Sequence, residues 1–113
     1  MNEADFATQV YDLLSRFGWH WCHFRPGRTL HGWHTALTGD PGFPDVIAIR
    51  YEETLDILVA PKYRLVFIEL KSDLGKVTEA QEEWLVLLKA AGAEVYLWRP
   101  NAPGLEAMVE ILR

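Results

Sequence analysis

Apolar positions recur along this chain with two different periods, and the changes of period divide it into elements. Phe6, Val10, Leu13, Leu14 and Phe17 return at helical spacing, which predicts a helix capped by Asn2 and stopped at Gly18. Glu3 lies three residues before Phe6 and four before Ala7, so it shares the buried face at the helix's first turn. Residues 19–24 are aromatic-rich and predict a strand. Residues 25–43 carry four glycines and two prolines and predict a long irregular loop. Residues 46–49 predict a short buried strand, residues 55–59 a further one before Pro61, and residues 65–71 a strand that ends in the turn Ser72-Asp73-Leu74-Gly75. A second helix is expected from Thr78 to Ala91, with Ala80, Trp84, Leu87, Leu88 and Ala91 as its buried stripe and Gly92 as its stop. Residues 94–98 predict another strand, Arg99-Pro100 breaks it, and Leu105, Met108, Val109 and Leu112 mark a C-terminal helix. The order α-β-β-β-α-β-α predicts one α/β domain over residues 1–113, a mixed central sheet flanked by helices.

Alternation along 65–71 changes the picture. Leu65, Phe67, Glu69 and Lys71 point one way, and Val66, Ile68 and Leu70 the other. An acid and a lysine thus emerge side by side from a run apolar enough to be buried, where a charge is costly unless it is paired or binds a metal. Upstream, Gly42-Phe43-Pro44-Asp45 sets a second acid at the start of an apolar strand, since Pro44 suits a strand's beginning and not its middle. A carboxylate pair with a lysine beside it can hold Mg²⁺ or Mn²⁺ and a water against a phosphate. Each part has a plainer reading. Asp45 alone would be a turn aspartate, and Glu69 with Lys71 a solvent-facing ion pair. Gln81, three residues after Thr78, would complete a capping box while also facing the sheet near Lys71.

Composition narrows the classes. The chain has 113 residues, half of them apolar, and a formal net charge of −5, against a surface that coats nucleic acid throughout but not against a local basic rim. Arg25, Arg28, Lys71, Lys76 and Arg99 flank the proposed site in sequence order. One cysteine, Cys22, excludes an internal disulfide framework. The opening residues form no basic signal region, and no apolar run approaches membrane-spanning length. An intracellular protein with no membrane association is expected. His20, Cys22, His23, His31 and His34 suggest zinc, but alternation splits His20 and Cys22 from His23, and no zinc-ligand spacing emerges.

Gly42-Phe43-Pro44-Asp45, then Glu69-Leu70-Lys71, the Gly75 turn, Gln81, Trp84-Leu85, and Gly92 before Val95-Tyr96-Leu97-Trp98-Arg99-Pro100 resemble the VRR-NUC family of the PD-(D/E)xK nuclease superfamily. The ordered match covers most of the chain. The resemblance implies a restriction-endonuclease-like core and a metal-dependent endonuclease that hydrolyses DNA phosphodiesters by in-line attack of water. It makes Asp45 and Glu69 metal ligands, Lys71 the catalytic lysine and Gln81 its supporting glutamine. It sets Glu3 near the metal and makes the carbonyl of Leu70 a backbone ligand. His23 and Arg28 match places expected to touch nucleic acid. Free-standing members are similar to Holliday-junction resolvases, which implies a homodimer acting on branched DNA with no organic cofactor. Residues 51–64 are longer than a tight hairpin and predict an elaborated sheet there. Two rivals stand beside this reading: a non-catalytic DNA-binding module of the same fold, and a structural protein in which Glu69 and Lys71 pair on the surface.

Overall fold

A computed structural model describes residues 1–24, 27–29, 32–34, 38–53, 58, 60 and 62–113, the side chains of 27–29 and 32–34 excepted. It shows α1 (Glu3–Arg16), β1 (His20–His23), β2 (Gly27–Thr29), β3 (Gly32–His34), β4 (Val46–Glu52), β5 (Lys62–Leu70), α2 (Glu79–Ala90), β6 (Glu94–Trp98) and α3 (Leu105–Leu112). The main sheet has the order β1-β4-β5-β6. Its first three strands are antiparallel, and β5 and β6 run parallel. The parallel pair requires a crossover, which α2 supplies.

The expected elements of the main sheet and all three helices are present. The side chain of Asn2 accepts the Asp5 amide at 2.8 Å, and Gly18 follows the first helix at φ 77°, so both ends of α1 are fixed as the sequence predicts. Phe6, Val10 and Leu14 have no exposed surface. They meet Val46, Ala48, Val66, Ile68 and Leu70 from the sheet and Met108 and Leu112 from α3. Each fully buried side chain of this size contributes about 1.5–3 kcal/mol, so this face of the sheet carries most of the core.

Three expectations need correction or fall outside the described residues. The segment 25–43 is not wholly irregular: β2 and β3 form an antiparallel ribbon pairing Gly27 with His34, Arg28 with Trp33 and Thr29 with Gly32. Backbone hydrogen bonds hold such a ribbon whatever the side chains, which is why glycine content hid it. Leu87 and Ala91 do not join a buried stripe; Leu87 is 56% exposed, and no residue of α2 is fully buried. The helix packs on β6 and leaves the opposite side of its apolar arc uncovered. The extra strand at 55–59 lies outside the described residues apart from Leu58, an exposed turn residue.

Where β4 and β5 are longer than expected, the pair Arg50–Arg64 faces across the ladder. Two like charges opposite each other repel, yet both are neutralised. Arg50 donates to the carbonyls of Phe17 at 3.0 Å and Leu112 at 2.5 Å, and to Glu52 at 2.9 Å. Arg64 reaches the Ile111 carbonyl at 3.0 Å and pairs with Glu94. Both guanidinium groups lie over the Trp19 ring, at 4.4 and 5.0 Å. The negative carbonyl ends of α1 and α3 are thereby tied to the sheet. The hydrogen bond to Glu94 raises Arg64's pKa. Burial works to raise Glu94's carboxyl, but bonds from Arg64 and Tyr96 outweigh it and hold it below the usual range. Burial and Glu94 push the Tyr96 phenol up to about 12.

Candidate functional site

The β4–β5 ladder pairs Val46 with Ile68 and Ile47 with Phe67. One further step sets Asp45 opposite Glu69, on the face that α2 covers and away from the main core. Directly opposed side chains in an antiparallel pair stand close enough to touch, and here the Asp45 carboxyl group acts on that of Glu69, helping to raise its pKa. Asp45 Oδ2 also accepts the Leu70 amide at 2.9 Å, while its carbonyl accepts the amide of Phe24, the residue after β1, at 2.6 Å. The strand start, the neighbouring strand and a backbone donor all fix this aspartate.

Glu69 is 1% exposed, and among the described residues its Oε2 is the buried side-chain oxygen or nitrogen with no hydrogen-bond partner. A surface ion pair with Lys71 is thereby overturned. Burial pushes the Glu69 carboxyl up to about 9, the hydrogen bond and charge of Asp45 add to the rise, Lys71 opposes it, and Glu3 adds a smaller push. Those four groups, drawn from three separate stretches of the chain, therefore share one electrostatic neighbourhood at one end of the sheet. Lys71 follows β5, half-buried, with its amide donating to the Trp98 carbonyl at 3.0 Å.

The wall beside the pair is aromatic. Phe43 packs edge-on against Phe24 at 5.5 Å, Phe67 at 5.9 Å and Trp84 at 5.1 Å, joining β1, β5 and α2 at the residue two before Asp45. Gly42 has φ +95°, and a Cβ there would stand 2.5 Å from the Ala80 carbonyl carbon and 2.7 Å from the Gln81 amide. Only glycine lets the loop press on the first turn of α2 so closely. Gln81 closes a capping box: its Oε1 accepts the Thr78 amide at 3.0 Å, and its own amide donates to Thr78 Oγ1 at 3.1 Å. Its side-chain oxygen is thus committed to the cap.

Other predicted residues fall elsewhere. His23 lies on the α1 side of the sheet, exposed, with its ring stacked on Tyr11 at 4.9 Å. The backbone of Arg28 is in β2, and its side chain lies outside the described residues, as do Arg25 and His31 entirely. Lys76 is exposed in the loop before α2. Arg99 turns inward onto that loop. Leu70, whose carbonyl is an expected ligand, ends β5 between Glu69 and Lys71. Among the described residues no three or more His, Cys, Asp and Glu side chains are grouped to hold a metal ion; Glu3, in the first turn of α1, is near enough to act on the charge of Glu69. Sequence reading missed the Arg50–Arg64 cluster and the Phe43 hub; the hub's signal was the aromatic residue inside the Gly42–Asp45 motif.

No protein-family model matches the chain, and no curated protein or solved structure matches it. No helix among the described residues is long and apolar enough to cross a membrane.

Proposed function

We propose that this chain is a divalent-cation-dependent DNA endonuclease of the VRR-NUC type, with a restriction-endonuclease-like core. One observation carries the reading: a fully buried carboxylate, Glu69, with an unpartnered oxygen, faces Asp45 across the ladder and shares its strand face with Lys71. A buried acid in this position is expensive without a counter-charge, and strongly shifted acids gather at functional sites. The donor set fits a hard cation: Asp45 and Glu69 would hold Mg²⁺ or Mn²⁺, with the Leu70 carbonyl and water as further oxygen ligands. A cation so held lowers the pKa of a bound water and offsets charge gathering on the phosphate.

The chain's own groups supply the remainder. The Leu70 amide holds one oxygen of Asp45 and so fixes this carboxyl group opposite Glu69. Lys71, an ammonium with three donors, orients the attacking water and the phosphate oxygen. Phe43, Phe67 and Trp84 line the α2 side of the pair and limit water there, which strengthens each charge interaction inside. A non-catalytic module of the same fold gains nothing from two acids set where phosphates must approach. Branched DNA and a homodimer, both implied by the family resemblance, belong to the same proposal.

Cleavage of plasmid and four-way-junction DNA with Mn²⁺ tests it. Asp45→Ala and Lys71→Ala should each lower cleavage by about 10²–10⁴-fold with the circular dichroism spectrum unchanged. Undiminished metal-dependent cleavage by purified Asp45→Ala would defeat the assignment, and binding without nicking on every substrate would favour the module. Sedimentation of the pure protein reads the pairing of two copies.

A further inference from the structure

Arg99 follows β6 directly and counts by sequence order among the basic residues expected to rim the site. Its guanidinium does not point outward. Nη1 donates to the carbonyls of Ser72 and Gly75, each at 2.6 Å, and lies 3.5 Å from that of Asp73. A guanidinium NH₂ group has two protons, and the two short bonds use both. The three carbonyls belong to the loop that follows Lys71. That loop folds back over the lysine: a Cβ added at Gly75 would stand 3.0 Å from Ser72 Oγ and 3.6 Å from Lys71 Cδ.

The anchor is itself rigid. Arg99 and Ala102 exchange backbone hydrogen bonds of 2.8 and 3.0 Å, and the carbonyl of Trp98, one residue earlier, accepts the Lys71 amide. A second tether runs parallel, Asn101 Nδ2 donating to Asp73 Oδ2 at 3.1 Å. A lysine carries a flexible four-carbon stem, so an ammonium that must act at one point needs that stem confined. A displacement of about 1 Å is enough to cost about 10²-fold in rate.

We propose that Arg99 is a positioning residue: by gripping Ser72 and Gly75 it sets the loop against the Lys71 stem and aims the ammonium at the Asp45–Glu69 pair. Arg99 then makes no phosphate contact. This rests on the nuclease reading above. The experiment compares wild type, Arg99→Ala, Arg99→Lys and Asn101→Ala in Mn²⁺-dependent plasmid cleavage, and in DNA binding from about 50 to 200 mM salt. Arg99→Ala should lose about 10²-fold in kcat with KM and the salt dependence of binding unchanged, and millimolar guanidinium chloride should restore part of the loss. Arg99→Lys and Asn101→Ala, which loosen the same loop more gently, should lower kcat in the same sense and keep the test alive if Arg99→Ala does not fold. A salt slope shallower by about one unit with raised KM and full kcat marks a phosphate contact and overturns the inference. So does a lowered melting temperature with full kcat per folded molecule. A wild-type chain that cleaves no DNA defeats the underlying reading, a result distinct from a cleaving wild type indifferent to all three substitutions.

Discussion

Glu69 is where stability and the proposed function conflict. An unfolded glutamic acid gives up its proton near pH 4.5, whereas the folded chain keeps this one until about pH 9 because burial and Asp45 both oppose the charge. Between those values the folded state binds more protons than the unfolded state, so this group's contribution to stability falls as pH rises. It is fully present below about pH 4.5 and is lost on passing pH 9. Glu69→Gln removes the titration and keeps the shape. The variant should therefore be more stable than wild type at pH 8, by about 1–3 kcal/mol, and equal to it near pH 4. Urea midpoints at the two pH values check this. A variant less stable than wild type at pH 8 would show that Glu69 is not a strained buried acid. Such a trade, stability given up at a residue proposed to hold the cation, is common at active sites.

At the scale of elements, the loop 42–45 and the first turn of α2 behave as one unit because Gly42 lies against the backbone of Ala80 and Gln81. Gly42→Ala meets that backbone at under 3 Å and a positive φ as well, and should cost about 3 kcal/mol while shifting Asp45 away from Glu69. An unchanged urea midpoint would contradict the contact. The motif's glycine was legible in the sequence, and so was the face shared by Leu65, Phe67, Glu69 and Lys71, because strand alternation is a local property of the backbone. Caps were legible too, since Asn2 and Thr78 act within three residues. The rest depended on partners far along the chain. Amphipathic spacing in α2 tells which side is apolar but not whether another element covers it, so Leu87 was misplaced. Nothing local reveals that Arg50 and Arg64 face each other and receive helix ends from Phe17 and Leu112. The inward turn of Arg99 was hidden for the same reason, and its charge alone suggested the rim.

Over the whole molecule these features predict a fold that a divalent cation completes. The sheet's main-core face is closed by α1 and α3, whereas the other face holds the buried Glu69 and half-buried Asp45 at one end and exposed Ile49 and Leu65 toward the other. A ligand that binds only the folded chain stabilises it by mass action, by about 2.7 kcal/mol at a hundred times the dissociation constant. For a domain of 113 residues that corresponds to a rise in melting temperature of about 10 °C. Binding must displace the proton of Glu69, which the folded chain keeps until about pH 9, so the rise should be small near pH 5.5 and grow toward pH 8.5, opposite in direction to the cation-free protein's own loss of stability. Asp45→Asn should abolish the rise at both pH values, and Arg99→Lys should keep most of it because the acids stay in place. Thermal unfolding with Mn²⁺ and with chelator reads all of this without any nucleic acid. A pH-independent rise, or one that survives Asp45→Asn, would locate the cation elsewhere and leave Glu69 a buried acid without its proposed partner.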